Sequence, residues 1–346
     1  MKNRQKNGTI DFDDLLRRVS RSFYTTLRVL PRTIRPQLSL AYLLARAADT
    51  VADAAAIAAD EKQKVLSGLI LSIQAVRARQ KPSVPDLLVF QRTDCFGFSA
   101  KDDAERTLLE NFETLLSALS ELSGADREKI HAVLETITRG QQTDIKRFGA
   151  ASGRLNALIT DDDLDMYTYE VAGCVGEFWT RLCLAHVFPC ASLDENSLMS
   201  DAIRFGKGLQ LVNILRDLPE DLRQGRCYIP EQSLSRFGLR PEDLLNPDFM
   251  PCFRPLYDGY LDIAEEHLRA GRRYTESLPF GCVRVRLACA WPILIGMKTI
   301  RRLRRGNVLG DPRVKITRRE IYRILVKSVL LYPFRKSWNR LFDTRL

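Results

Sequence analysis

The chain lacks any apolar stretch long enough to cross a bilayer: its uncharged run "LACAWPILIGM" (287–297) falls far short of the roughly 20 residues a spanning helix needs. Its first residues, "MKNRQKNGTIDFDD", are polar throughout and lack the apolar core of a secretory signal, so a cytoplasmic location is expected. Histidine is scarce, with three residues in 346, and the eight cysteines form no C-x-x-C pair. That argues against a zinc centre and a disulfide framework, leaving reduced, mostly buried thiols. No G-x-G-x-x-G fingerprint occurs, which excludes docking a dinucleotide in the Rossmann manner. Alternating β-branched runs are few, so strands are not expected to build the fold.

What is present is helical periodicity, with apolar residues recurring at three and four. It predicts helices over about 11–29, 36–59, 61–80, 103–122, 125–147, 161–187, 197–219, 255–276, 280–304 and 317–331. Pro, Gly and Asn cluster in "QKPSVPD" (80–86), "RPEDLLNPDFMP" (240–251) and "RRGNVLGDP" (304–312), which mark breaks. None is long or distinct enough in composition to separate domains. The expectation is an all-α chain, 1–346, folded as a single-domain helical bundle with a central cavity. Its core would span about 15–320, followed by a basic amphipathic tail over about 321–346.

The formal net charge is +10, and Lys and Arg gather in "KTIRRLRRG" (298–306), "VKITRRE" (314–320) and "FRKSWNRLF" (334–342). Such a balance suits an anionic partner: nucleic acid, a lipid surface or a phosphorylated small molecule. Aromatics do not interleave with the Arg clusters as base stacking requires, so no nucleic acid is expected. The tail mixes basic residues with Trp338, Phe334 and leucines, the composition of an interfacial helix on anionic lipid.

Two acidic pairs stand out. Asp49 and Asp53 share one face of the Ala- and Leu-rich run "LLARAADTVADAA" (43–55), although like charges four apart repel. Asp217 and Asp221 repeat the spacing in "GLQLVNILRDLPEDLRQGRCYIP" (208–230), where Glu220 adds a third acid. One D-x-x-x-D is ordinary on a solvated helix, but two copies in apolar helices are not. Mg²⁺ takes oxygen ligands and is commonly held by one or two carboxylates plus substrate phosphates. Two acidic helix faces opposed across a bundle would hold Mg²⁺ with a diphosphate completing the shell. Arg46 beside the first pair, and Gln210, Asn213, Arg216 and Arg226 around the second, complement an anionic leaving group.

Four blocks, "SRSFYTTLRVLP" (20–31), "LARAADTVAD" (44–53), "DMYTYEVAGCVG" (165–176) and "LQLVNILRDLPEDLRQGRCYIP" (209–230), resemble the ordered signature blocks of the squalene and phytoene synthases. The resemblance covers about residues 15–320 and is nearest to the soluble bacterial type. It implies the all-α isoprenoid synthase fold, a prenyltransferase activity and prenyl diphosphate substrates. It makes Asp49, Asp53, Asp217 and Asp221 Mg²⁺ ligands, and Arg21, Tyr42, Arg46, Gln210, Asn213, Arg216 and Arg226 diphosphate contacts. Tyr167 matches the family tyrosine of the first half-reaction. Its hydroxyl either hydrogen-bonds the departing diphosphate or helps remove the proton lost on cyclopropane closure. Phe23, Leu43, Val171, Val175 and Leu209 would line a prenyl tunnel. Gly173 and Gly176 would let backbone pass close to a prenyl chain or to another helix.

"CAWPILIGMKTI" (289–300) and "PRVKITRRE" (312–320) look like the C-terminal blocks of squalene synthases, which implies NADPH, with Lys315 and Arg318 beside Arg21, Arg46 and Arg216 as its contacts. The implied reaction joins two farnesyl diphosphates head to head to presqualene diphosphate and reduces that to squalene. The alternatives are a phytoene or dehydrosqualene synthase without reductant and a non-catalytic helical assembly factor. Departures are Ala52 where eukaryotic squalene synthases carry Glu, Thr317 for a basic residue, Ala288 for an aromatic, and Pro219 inside the second acidic helix, where a kink or helix end is expected. A peripheral contact with membrane lipid and no obligate protein partner complete the expectation.

Overall fold

The computed structural model describes residues 11–20, 23–54, 57–85, 87, 100–149, 155–310 and 314–343, and helices make up nearly all of their secondary structure. The chain divides into two compact units, Met1–Arg28 with Arg35–Leu134, and Val29–Ile34 with Glu135–Leu346.

The first unit carries α1 (Phe12–Ser20), α2 (Phe23–Val29), α3 (Arg35–Asp53), α4 (Ala59–Arg77), α5 (Ala100–Glu110) and α6 (Phe112–Glu121). Pro36 sits in the first turn of α3, where its fixed φ suits helix initiation and its missing N–H costs nothing. Leu40, Leu43, Leu44, Ala47, Ala48 and Val51 then recur at three and four, are buried, and face α4 and α6. The expected helix 36–59 stops earlier, at Asp53, although the Ala-rich run that follows contains no Gly or Pro. The expected helix 103–122 is two helices meeting at Asn111, whose side-chain amide donates to the Thr107 carbonyl at 2.8 Å.

The boundary between the units falls inside α7 (Gly124–Phe148). The second unit continues with β1 (Asn156–Ala157), α8 (Asp161–Thr168), a π-helical turn (Tyr169–Gly173), α9 (Cys174–His186), α10 (Glu195–Arg223), β2 (Arg226–Cys227), α11 (Glu231–Ser235), two short 3₁₀ turns, α12 (Met250–Ser277), α13 (Val283–Arg305), α14 (Arg318–Leu331) and α15 (Arg335–Asp343). The core forms where α10 packs along α12 and α12 along α13, around Leu215, Leu218, Tyr257, Leu261, Leu268 and Ile300. Each such side chain contributes about 1.5–3 kcal/mol on burial.

Contrary to the sequence expectation, α10 runs unbroken through Pro219. Proline removes the N–H that would bond the Leu215 carbonyl, and the buried Tyr257 hydroxyl of α12 donates to that carbonyl instead, at 2.9 Å. The glycines of "VAGCVG" serve helix packing. A Cβ on Gly176 would lie 2.1 Å from the Ala202 carbonyl oxygen, and one on Gly206 would lie 2.3 Å from that of Ala172. Backbone thus meets backbone where this segment crosses α10.

The final helices are part of the core. Trp338 and Phe342 of α15 and Tyr332 before it are buried, so residues 321–342 are not merely an interfacial tail. Arg286 of α13 lies against the rings of Phe280, Tyr332 and Trp338, and its Nη1 donates to the carbonyls of Glu276 (3.1 Å) and Leu278 (2.6 Å). Among the described residues no helix is long and apolar enough to cross a membrane. The described cysteines are free thiols, four of them buried, while Cys95 lies outside the described residues.

Candidate active site

In the second unit α10 sets Gln210, Asn213, Asp217 and Asp221 on one face by their three- and four-residue spacing. The Arg216 guanidinium grips Asp217 with two bonds, Nε to Oδ1 at 2.8 Å and Nη2 to Oδ2 at 2.6 Å. Burial, reinforced by the charge of Asp217, pushes the Asp221 carboxyl up to about 7. Glu220 is exposed beside them.

After α10, Gly225 turns the chain with φ +79 into β2, which pairs in parallel with β1. In this extended segment Cys227 points into the core, while Arg226 and Tyr228 emerge on the other face and meet Asp144 of α7. The Tyr228 hydroxyl donates to Asp144 at 3.0 and 3.1 Å, and Arg226 Nη1 stands 3.7 Å from the same carboxylate. The Tyr167 and Tyr228 rings stack with centroids 4.8 Å apart and 22° between planes. Burial, with Asp144 close by, holds both phenols well above their ordinary range. Tyr167 thus stacks on the phenol that donates to Asp144. The π-helical turn begins two residues after Tyr167, as local widenings of helices at functional sites often do.

Sequence reasoning missed Asp144 and Tyr228. The signal for Asp144 was present: Ile137, Gln141, Asp144 and Phe148 follow the apolar period of α7, and a carboxylate on that stripe calls for a partner.

In the first unit α3 carries Asp49, half-exposed, with Oδ2 3.5 Å from Arg46 Nη1, while Arg46 also pairs with Glu105 of α5. Asp53 is exposed at the end of α3, Tyr42 is partly buried and Leu43 fully so. The neighbouring Ala52 carbonyl accepts from Lys62 Nζ at 3.0 Å, which ties this helix end to α4. Arg21 and the side chain of Phe23 lie outside the described residues.

Of the remaining expected residues, Leu209 packs against the core, Val171 is partly buried and Val175 is 36% exposed. Lys315 and Arg318 are exposed, and the Lys315 carbonyl accepts from Arg302 at 2.5 Å. Thr317, unusual in its block, caps α14: its backbone N–H donates to Glu320 at 2.9 Å while its hydroxyl accepts from the Glu320 N–H at 3.3 Å. That backbone bond, with Lys298 close by, holds the Glu320 carboxyl at about 2.

Among the described residues no group of three His, Cys, Asp or Glu side chains comes together as a metal cage. Asp217 and Asp221 offer two carboxylates that repel each other, one strained as an anion by burial. That donor set fits a dication only if diphosphate and water complete its shell, which is how Mg²⁺ is ordinarily held.

A family model described as squalene/phytoene synthase matches residues 16–320. Squalene synthase ERG9 of Saccharomyces cerevisiae is 31% identical over 235 residues, covering 68% of this chain and 48% of the yeast protein. The match thus spans about half the length of that relative. Squalene synthase of Cyberlindnera jadinii is 25% identical over 331 residues, 94% of this chain and 69% of its own length. Among solved structures, a complex of TcSQS with the ligand E5700 superposes with a TM-score of 0.75 at 22% identity, covering 97% of this chain and 91% of that one. The structural likeness shows the all-α isoprenoid synthase fold, and with the match over residues 16–320 the chain belongs to the squalene/phytoene synthase family of prenyltransferases.

Proposed function

We propose that the chain is a squalene synthase of the soluble bacterial type, a single catalytic domain that joins two farnesyl diphosphates into presqualene diphosphate and reduces this with NADPH to squalene. The observation that carries the reading is the stack of Tyr167 on Tyr228, whose hydroxyl donates to Asp144, in the unit that carries the carboxylate pair Asp217 and Asp221. Bound Mg²⁺ would neutralise the diphosphate and make it a competent leaving group. Asp217 and Asp221 would supply oxygen ligands, and the family resemblance gives the same role to Asp49 and Asp53. Arg216 and Arg226, with Gln210 and Asn213, would hold diphosphate oxygens, a role the resemblance also gives to Arg21, Tyr42 and Arg46.

Cyclopropane closure releases a proton. The Tyr167 oxygen can take it as its own proton moves to Tyr228 and that of Tyr228 moves to the Asp144 carboxylate, so no phenolate ever stands alone. Charge on Arg226 balances Asp144 before that transfer. Val171, Val175 and Leu209 would contribute apolar surface for the prenyl chains, a role the resemblance also gives to Phe23 and Leu43. Lys315 and Arg318, exposed cations at the start of α14, suit the phosphates of NADPH, a hydride donor. Since substrate and product are lipids, the enzyme works in the cytoplasm at the inner face of the membrane.

The second reading is a dehydrosqualene or phytoene synthase, favoured by Thr317 and Ala288, both departures from the reductive pattern. Incubation with labelled farnesyl diphosphate and Mg²⁺, with and without NADPH, separates the two. Squalene with NADPH and accumulating presqualene diphosphate without it are expected. A conjugated triene formed regardless of NADPH assigns dehydrosqualene synthase, and turnover confined to geranylgeranyl diphosphate assigns phytoene synthase.

A further inference from the structure

Helix α14 has two unlike faces. Its inward side places Ser328 against the Trp291 indole, whose Nε1 donates to the hydroxyl at 2.8 Å, and it leads into the buried Tyr332. Its outward side carries Tyr322, Val326, Val329 and Leu330, at i, i+4, i+7 and i+8, followed by Phe334 past the helix end. Tyr322, Leu330 and Phe334 are 67%, 66% and 64% exposed. A helix that buries one apolar side and shows another to water has a second contact to make.

The loop before α13 extends this surface. Phe280 and Val283 are 47% and 38% exposed, and the Phe280 ring stacks on Tyr332 at 4.9 Å while the Tyr332 hydroxyl donates to the Phe280 carbonyl at 2.5 Å. The loop is thereby fixed beside the end of α14, and Arg286 braces both rings from beneath.

Charge in this last segment of the chain is predominantly positive. Residues 318–343 carry seven Lys or Arg against two acids. Both acids are paired, Glu320 with Lys298 at 3.0 Å and Arg302 at 2.6 Å, and Asp343 with Arg272. Arg319, Arg323, Lys327, Arg335 and Lys336 are exposed along the apolar stripe. Apolar side chains projecting between cations match the interface of an anionic bilayer, where the former enter the acyl boundary and the latter meet phosphate.

We propose that the outward face of α14, continued by Phe334 and the Phe280–Val283 loop, is a membrane-docking surface for anionic phospholipid. It deepens and rests on the peripheral location argued from the lipid substrate, but it is read without turnover. A failure here leaves the catalytic reading standing, and the converse holds.

The test is co-sedimentation of the full chain with phosphatidylcholine vesicles with and without phosphatidylglycerol, at low and high salt. Wild type is expected to partition about ten-fold or more in favour of the anionic vesicles, less so in high salt. The double variant Leu330→Glu with Phe334→Glu, changed only at exposed positions, should lose about ten-fold in partition. It should retain wild-type far-ultraviolet circular dichroism and wild-type turnover of detergent-dispersed substrate. Arg323→Glu with Lys327→Glu should remove the preference for anionic lipid. Wild type that ignores vesicles, or variants that bind as wild type does, would overturn the proposal. So would a wild-type dimer that the Leu330→Glu, Phe334→Glu variant converts to monomer by light scattering, since the face would then serve a second copy of the chain.

Discussion

Asp221 carries the pH dependence of the site. Its carboxyl, pushed up to about 7 by burial and Asp217, is an ordinary aspartate in the unfolded chain. Between about pH 4 and pH 7 the folded chain therefore holds a proton that the unfolded chain has released, so stability falls as pH rises through that window and levels off above it. Asp221→Asn should raise urea stability by about 1–2 kcal/mol at about pH 8 and leave it unchanged near pH 4. Equal gains at both pH values would mean that the charge is not the cause. The proton transfer proposed from Tyr167 by way of Tyr228 to Asp144 makes a second prediction at this scale. Tyr228→Phe interrupts it while keeping the stacked ring, so single-turnover formation of the cyclopropyl diphosphate should slow by about 100-fold with KM little changed. Asp144→Asn should do the same. Formation at the wild-type rate in either variant would leave the three residues a packing device. Tyr167 and the aspartate pairs could be singled out in the sequence because they lie in short, patterned blocks. Asp144 escaped because its partners come from segments more than eighty residues away, and only its place on an apolar stripe announced it.

At the scale of elements, periodicity made the helices legible and left their ends unclear. Helix α10 could not be read through Pro219, because the hydroxyl that replaces the missing donor comes from α12. Tyr257→Phe should leave the Leu215 carbonyl without that donor and cost about 1–3 kcal/mol. Pro219→Ala in the same chain restores a backbone N–H, and the double variant should recover part of the loss in a urea double-mutant cycle. Strictly additive effects would contradict the exchange of donors. The two-residue strands have no periodic signature, and β2 owes its course to the turn at Gly225. Glycines 173 and 176 were visible in sequence, yet whether they admit a ligand or a helix depends on what lies opposite. Opposite Gly176 is the backbone of Ala202.

At the scale of the molecule, the all-α class and the family were legible from four spaced blocks, whereas the division into two units was not. Its boundary lies within α7, where helix continues and composition does not change. The end of the chain looked from composition like a single amphipathic tail. It is instead a packed layer, anchored by Trp338, Phe342 and the ring-bound Arg286, that turns a second apolar face outward. The carboxylates of α10 are proposed to ionise a prenyl diphosphate through Mg²⁺. Single-turnover release of diphosphate from farnesyl diphosphate, with Mg²⁺ or with chelator, measures that ionisation directly in wild type and in Asp217→Asn. Release is expected only with Mg²⁺, and slower in Asp217→Asn by about 10³-fold or more at unchanged helicity. Wild-type release in the presence of chelator, or an undiminished rate in Asp217→Asn, would remove Mg²⁺ and Asp217 from the ionisation step.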